Sequence, residues 1–90
     1  MDKYKIAETE TFSKKINSNK FKHLYNKILT DVYPILKNNP HYGANTKKLK
    51  GDYKEIYRFR IGDYRMFYKI DENEPIIFII NIENRKDAYK

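Results

Sequence analysis

The stretch that decides the fold of this chain is Tyr57-Arg58-Phe59-Arg60-Ile61-Gly62-Asp63-Tyr64-Arg65-Met66-Phe67-Tyr68. Apolar and aromatic residues recur at every second position on both sides of Gly62-Asp63, which predicts two strands joined by a two-residue turn. Gly62 stands at the first central position, where a type II′ turn requires a positive φ. The turn sets the register of this hairpin and is predicted to place three pairs of residues opposite each other: Ile61 with Tyr64, Arg60 with Arg65, and Phe59 with Met66.

The predicted hairpin gathers three arginines on one face of the sheet. Residues directly opposite share a face, and so do residues two apart along a strand, so Arg58, Arg60 and Arg65 lie together. Like charges directly opposite each other are destabilising, and a bound anion would relieve the repulsion. An anion-binding face is therefore one interpretation. The alternative is a solvated polar face on which neighbouring Asp or Glu residues relax the repulsion.

The composition describes a small basic domain. Ninety residues are predicted to form one domain, residues 1–90, and the 40% of hydrophobic residues is enough for a modest core. The net charge of +7 indicates nucleic acid, a membrane surface or an acidic protein as the partner. Charge alone does not choose among these three.

Several classes of chemistry find no support in the sequence. The chain has no cysteine, which excludes disulfides and thiolate chemistry, and His23 and His41 lack ligand-like spacing. We therefore expect no metal and no cofactor. The longest apolar run, Ile76–Ile80, is far too short to span a bilayer, and the N-terminus lacks the apolar stretch of a signal peptide. A soluble cytoplasmic protein without membrane contact is expected.

The order of predicted elements is β-α-α-β-β-β, an α+β fold with two N-terminal helices packed on an antiparallel sheet. A short strand is expected at 4–7, followed by a helix capped by Thr9 or Thr11. An apolar stripe at helical spacing predicts a second helix, which Pro34 should kink or end. Its members are Phe21, Leu24, Tyr25, Ile28, Val32, Ile35 and Leu36. Residues 41–52 are predicted to be a loop, and residues 76–82 a central strand.

Positive charge concentrates in the predicted loop and hairpin. Between Lys47 and Lys69 there are eight basic and three acidic residues, so this segment holds +5 of the net +7. Tyrosines are interleaved with these charges, a pattern that suits a nucleic-acid backbone together with base stacking. The alternative for most of these tyrosines is packing in the core or at its rim.

Four motifs together resemble the RelE/ParE superfamily of bacterial and archaeal toxins: Leu49-Lys50-Gly51, Tyr57-Arg58-Phe59-Arg60, Gly62-Asp63-Tyr64-Arg65 and Asn84-Arg85-Lys86-Asp87-Ala88-Tyr89. The resemblance covers essentially all 90 residues and implies a RelE-like fold. RelE members of this superfamily cut messenger RNA in the ribosomal A site. ParE members poison DNA gyrase and lack the nuclease residues.

The resemblance implies a metal-independent endoribonuclease site made of Arg58, Arg60, Arg65, Arg85 and Tyr89. These groups would hold the scissile phosphate while the ribose 2′-hydroxyl attacks it, which yields a 2′,3′-cyclic phosphate and a free 5′-hydroxyl. Arginine suits this task because its planar guanidinium is always charged and binds phosphate in a bidentate manner. We expect Arg65 and Arg85 to be exposed, so that truncating either side chain costs little stability. The lysines expected to contact RNA or the ribosome are Lys47, Lys48, Lys50, Lys54 and Lys86.

Two departures from the superfamily pattern concern proton transfer. Arginine replaces the usual lysine at positions 58 and 60, and arginine is effectively never deprotonated. Asn84 stands where many relatives have histidine. The general base is therefore open among a ribosomal group, Tyr89 and Glu83, or catalysis rests mainly on positioning and electrostatics.

The sequence is consistent with three functions. The first is a ribosome-dependent mRNA endoribonuclease, the toxin of a type II toxin–antitoxin system, with the ribosome, mRNA and a cognate acidic antitoxin as partners. The second is a ParE-like toxin that binds DNA gyrase without chemistry. The third is a degenerate, non-toxic basic interaction module. The retained arginines and Tyr89 favour the first.

Overall fold

A computed structural model describes residues 3–51 and 55–84 of the chain. Five strands occur in these residues: β1 (Lys5–Glu8), β2 (Thr46–Lys48), β3 (Tyr57–Ile61), β4 (Tyr64–Asp71) and β5 (Ile76–Asn84). The helices are α1 (Glu10–Ile16), α2 (Lys22–Lys27) and α3 (Tyr33–Asn38), and a π-helical segment, Ile28–Val32, joins α2 to α3. The α+β class and the order of helices before the main sheet are as predicted.

The strands form one sheet in the order β1-β5-β4-β3-β2. From β2 to β5 each strand is antiparallel to the next, whereas β1 pairs with β5 in parallel. The helices carry the chain from β1 to the far edge of the sheet, and the chain returns one strand at a time. The last strand then arrives beside β1 in the same direction, so the sheet is mostly rather than wholly antiparallel.

The predicted loop at 41–52 contains a strand, which corrects that prediction. In β2, Thr46, Lys47 and Lys48 pair with Phe59, Arg58 and Tyr57 of β3. Three residues are too few to show an alternating pattern, and this strand exists because β3 offers its free edge. Its formation is a long-range event that the local sequence does not encode.

The N-terminal helix begins at a cap that also ties it to the sheet. The Oγ1 atom of Thr9 accepts a hydrogen bond from the backbone N–H of Phe12 (3.3 Å) and donates one to the carbonyl of Ile79 (2.7 Å). Of the two candidate caps, Thr9 is therefore the one used. Phe12 and Ile16 then lie one helical turn apart and are both buried.

The second helical region changes pitch before Pro34. Proline has no N–H to donate, and here it stands in the first turn of α3, where none is needed. The π-helical segment before it has more residues per turn and rotates the following residues. As a result Tyr33 is buried, whereas Ile35, predicted to lie on the apolar stripe, is 50% exposed.

The core lies between the helices and one face of the sheet. Its largest fully buried members are Phe12, Ile16, Ile28, Leu36, Met66, Tyr68, Ile77, Ile79 and Ile82. The helices of the described residues are all too short or too polar to cross a membrane.

Tyr68 brings a polar hydroxyl group into this core. Its side chain is fully buried, its ring stacks on that of Tyr57 (centroids 5.5 Å apart), and its hydroxyl donates to the carbonyl of Pro40 (2.6 Å). Burial raises the pKa of Tyr68 to about 12, so the hydroxyl remains a donor at physiological pH. The bond joins the end of the helical region to the middle of the sheet.

We predict that Tyr68→Phe lowers the free energy of unfolding by about 1–3 kcal/mol, because a buried carbonyl loses its donor. Tyr57→Phe is the matched control, since the Tyr57 hydroxyl makes no hydrogen bond to the described residues. Its effect should stay within about 0.5 kcal/mol. Urea titrations of both variants measure the difference. Equal stability of the two variants would show that the bond to Pro40 contributes nothing net.

Candidate nucleic-acid interface

The turn between β3 and β4 has the geometry that the sequence predicts. Gly62 has φ +57°, whereas Asp63 does not have a positive φ, as a type II′ turn requires. The register is also confirmed: Ile61 lies opposite Tyr64, and Arg60 lies opposite Arg65. A Cβ atom at position 62 would meet nothing within 4 Å, so glycine is needed there for its backbone conformation and not for space.

The hairpin presents two unlike faces. Phe59, Ile61, Met66 and Tyr68 are buried against the helices. Side chains alternate along a strand, so the residues between them lie on the opposite side of the sheet, here called the open face. Its members on the hairpin are Arg58, Arg60, Arg65 and Phe67.

A β-bulge extends the open face onto β5. The register shifts by one residue, since Phe67 pairs with Asn81 but Tyr68 pairs with Ile79. Without the shift, uninterrupted alternation from Ile77 and Ile79 would place residues 81 and 83 in the core. With it, Ile82 is buried, and Glu83 lies on the open face.

Two rows of side chains result from these registers. The first runs across three strands and is here called the arginine row: Arg60, Arg65 and Glu83. The second runs beside it across four strands: Lys47, Arg58, Phe67 and Asn81. These two adjacent rows therefore combine four cations, one aromatic ring and one carboxylate.

The three arginines differ in burial. Arg60 is exposed and Arg58 is half-buried, whereas Arg65 is only 6% exposed. The expectation that Arg65 is exposed is thus wrong. It lies on the middle strand of the row, between Arg60 and Glu83. The Nε atom of Arg58 is buried and has no hydrogen-bond partner in the described part of the chain, which leaves a donor available.

The lysines predicted to bind RNA do not all share this face. Lys47 is exposed and lies opposite Arg58, within the second row. Lys48 points to the other side, where its Nζ atom lies 5.8 Å from the centre of the Tyr57 ring. Lys50 is exposed in the segment that follows β2. Four predicted site residues, Arg85, Tyr89, Lys54 and Lys86, lie outside the described residues.

Sequence reasoning missed three residues of the site. Phe67 and Asn81 flank the arginine row, and Lys15 of α1 reaches Glu83. The position of Phe67 follows from the hairpin alternation alone. Asn81 and Lys15 carry no sequence signal, because the bulge and the packing of α1 beside β5 place them there.

Glu83 is the carboxylate of the arginine row. Its Oε1 atom accepts a hydrogen bond from Nδ2 of Asn81 (3.2 Å) and lies 3.9 Å from Nζ of Lys15. Its side chain is 32% exposed. Asn84, the next residue, pairs with Tyr64 and so belongs to the opposite side of the sheet.

The histidines lie elsewhere in the described residues. His41 contacts Glu72, with Nε2 and Oε1 2.6 Å apart, and this hydrogen bond, with a second from Tyr4, lowers the pKa of Glu72. The His23 ring packs against that of Tyr64. In residues 3–51 and 55–84, no three His, Asp or Glu side chains come together in a way that would hold a metal ion.

The sequence of this chain matches a known protein family over most of its length. The profile described as ParE toxin of type II toxin-antitoxin system, parDE, matches residues 7–89. A protein of Methanocaldococcus jannaschii, provisionally named toxin RelE1, is 38% identical over 74 residues, which are 82% of this chain and 74% of the relative.

Two solved structures share the fold over most of both chains. A chain of the archaeal RelE–RelB complex from Pyrococcus horikoshii has a TM-score of 0.73 and 27% identity, and the match covers 91% of this chain and 94% of that one. A chain of the RelBE2 toxin–antitoxin complex from Mycobacterium tuberculosis has a TM-score of 0.75 and 20% identity. That match covers 91% of this chain and 98% of the other.

We predict that the same substitution affects stability differently at the two arginines of the cross-strand pair. Arg60→Gln should leave the melting temperature unchanged or raise it slightly, because a like-charge pair costs only tenths of a kcal/mol and Arg60 is exposed. Arg65→Gln should lower the free energy of unfolding by about 1–3 kcal/mol, since the buried side chain loses its packing.

Thermal melts at low salt, with and without phosphate, measure both effects. Phosphate should raise the melting temperature of the wild type more than that of Arg60→Gln. A loss of melting temperature in Arg60→Gln as large as that in Arg65→Gln would make Arg60 a structural residue.

Proposed function

Because this chain belongs to the ParE toxin family of type II toxin–antitoxin systems, and is a RelE-like toxin, we propose that it is a ribosome-dependent endoribonuclease that cleaves mRNA in the ribosomal A site. The observation that carries this proposal is the cross-strand pairing of Arg60 with Arg65, beside Arg58, on the open face. Such a pairing lowers stability unless an anion or a carboxylate compensates it, and RNA phosphate is an anion of the right kind.

The burial differences suit a phosphate clamp. Arg65 is held in the sheet and cannot swing away, so it offers a preorganised charge, whereas the exposed Arg60 is able to adjust to the incoming phosphate. Preorganised donors aimed at developing charge contribute about 3–4 kcal/mol each to transition-state stabilisation. The buried Nε of Arg58 adds a donor that gains a partner when phosphate binds.

The reaction we propose needs no metal, because guanidinium groups supply the positive charge. The ribose 2′-oxygen attacks phosphorus, the bond to the 5′-oxygen breaks, and the products are a 2′,3′-cyclic phosphate and a 5′-hydroxyl. Arg58, Arg60 and Arg65 stabilise the charge on the phosphate oxygens. Arg85 and Tyr89 are proposed to complete the site from the C-terminal segment.

The remaining basic residues are proposed to bind the ribosome and the mRNA backbone. Lys47 extends the clamp along the second row, and Phe67 offers a ring on which a base can stack. Lys48 and Lys50 lie at the β2 edge and are assigned to more distant phosphates, as are Lys54 and Lys86.

A cognate acidic antitoxin is the proposed inhibitor. Two structural relatives are toxins in complex with RelB, and the open face of this chain is strongly basic. We propose that an acidic segment of the antitoxin covers the arginine row or displaces the C-terminal residues. Complementary charge would make the association fast and sensitive to salt.

One observation favours a second candidate function. The matching family profile is described by the name ParE, whose members in this superfamily include toxins that act on DNA gyrase by binding. In that function the open face would be a docking surface and no RNA bond would break. The two candidates differ in what happens to transcripts after induction.

We predict that induction of the wild-type chain produces cuts inside translated codons, mapped by primer extension, and that Arg60→Gln reduces cutting and growth inhibition by at least tenfold. The physical reason is the loss of a bidentate phosphate contact that contributes little to folding. Lys22→Gln, which removes one exposed positive charge from α2, is the matched control and should remain toxic. Intact transcripts together with DNA damage would favour the gyrase function.

We also predict that the purified protein cuts free RNA poorly and requires a programmed ribosome. The arginines would hold the phosphate but would not align the 2′-oxygen, the phosphorus and the leaving oxygen, so the ribosome must supply the geometry of attack. Cleavage of a short mRNA with and without ribosomes measures the requirement. Efficient cutting of naked RNA would contradict it.

A further inference from the structure

We propose that Glu83 is the general base of the reaction and accepts the proton of the attacking 2′-hydroxyl. This inference rests on the proposed nuclease function and adds a residue to it. Arginine is unable to take the proton, because its guanidinium stays charged, and the superfamily's histidine position holds Asn84. The described histidines contact Glu72 and Tyr64, away from the arginine row.

Glu83 lies at one end of the arginine row. It lies directly opposite Arg65, which lies directly opposite Arg60, so a carboxylate ends the row of phosphate-binding groups. Neighbouring strands are about 4.8 Å apart, so the row spans about 10 Å, the scale of one nucleotide with its phosphate. A phosphate held by the arginines therefore brings an adjacent ribose close to Glu83.

The β-bulge in β5 directs the side chain of Glu83 to the open face. Only the extra residue at Ile80 turns Glu83 away from the core and onto the open face. Bulges occur frequently beside active sites, where they re-aim a side chain. Here the bulge interrupts the regular pairing of β4 with β5. As a result, a carboxylate lies beside the arginines.

The carboxylate of Glu83 is held through one of its two oxygens. Asn81 and Lys15 both contact Oε1, and no described residue donates a hydrogen bond to Oε2. The contacts to Oε1 therefore fix the orientation of the carboxylate, while Oε2 remains able to accept a proton. A carboxylate is ionised at neutral pH and has this capacity.

Each proton that moves in this step has a named donor and acceptor. The 2′-hydroxyl proton moves to Oε2 of Glu83 as the bond between the 2′-oxygen and phosphorus forms. The bond between phosphorus and the 5′-oxygen breaks, and the leaving oxygen takes a proton from water. Glu83 then returns its proton to the solvent, so the carboxylate is restored and no oxidant or cofactor is consumed.

The test is the pH dependence of single-turnover mRNA cleavage on programmed ribosomes between pH 6 and pH 9. The wild-type rate should change little with pH, because proton transfer to a carboxylate does not depend on hydroxide. Glu83→Gln should be about 10²–10⁴-fold slower at pH 7. Its rate should rise in proportion to hydroxide concentration, since hydroxide must then remove the proton.

Two further variants separate catalysis from structure. Glu83→Asp keeps a carboxylate and should keep the flat pH profile at a reduced rate, which covers the case that Glu83→Gln folds poorly in thermal melts. Glu55→Gln, which removes an exposed carboxylate 3.6 Å from Lys69, should behave as the wild type.

A slower Glu83→Gln enzyme with the flat wild-type profile would overturn this role, because Glu83 would then only hold Arg65 in place. The nuclease function would survive that result, since the wild type would still cleave. If the wild type does not cleave ribosome-bound mRNA at any pH, the proposed function fails, and the role of Glu83 fails with it.

Discussion

The structure depends on the alternation of side chains in the β3–β4 hairpin. Phe59, Ile61, Met66 and Tyr68 must be buried under the helices, and this requirement fixes which way every residue between them points. A slip of one residue would put the arginines in the core and the aromatic residues in water. Gly62 holds the register by its positive φ, so folding and the assembly of the cationic face are one event.

The burial of the core thus forces three guanidinium groups together on the other side. The energetic penalty is small for the exposed Arg60, because water screens its charge, and larger for the buried Arg65. The carboxylate of Glu83 lies opposite Arg65 and offsets part of this positive charge. Under the proposed function, stability and phosphate binding would place opposite demands on Arg60, which is typical of a functional surface.

The helices determine the site indirectly. The Thr9 cap attaches α1 to β5 through the carbonyl of Ile79, one residue before the bulge, and α1 in turn brings Lys15 to Glu83. The bond from Tyr68 to Pro40 attaches β4 to the segment between the helical region and β2, the strand that carries Lys47. Substitutions far from the arginines are therefore expected to alter the site through these connections.

The sequence by itself determined the hairpin, its turn type, its register and the shared face of Arg58, Arg60 and Arg65, because alternation and a glycine turn are local properties. It also predicted the α+β order and limited the cap of α1 to Thr9 or Thr11, of which the structure uses Thr9. Only the tertiary structure decided the burial of Arg65, the strand at Thr46–Lys48 and the exposure of Ile35, because these depend on neighbouring strands and on the pitch of a π-helical segment. The position of Glu83 belongs to the same group: its side of the sheet is set by a bulge opposite β4, and an isolated strand holds no information about such a shift.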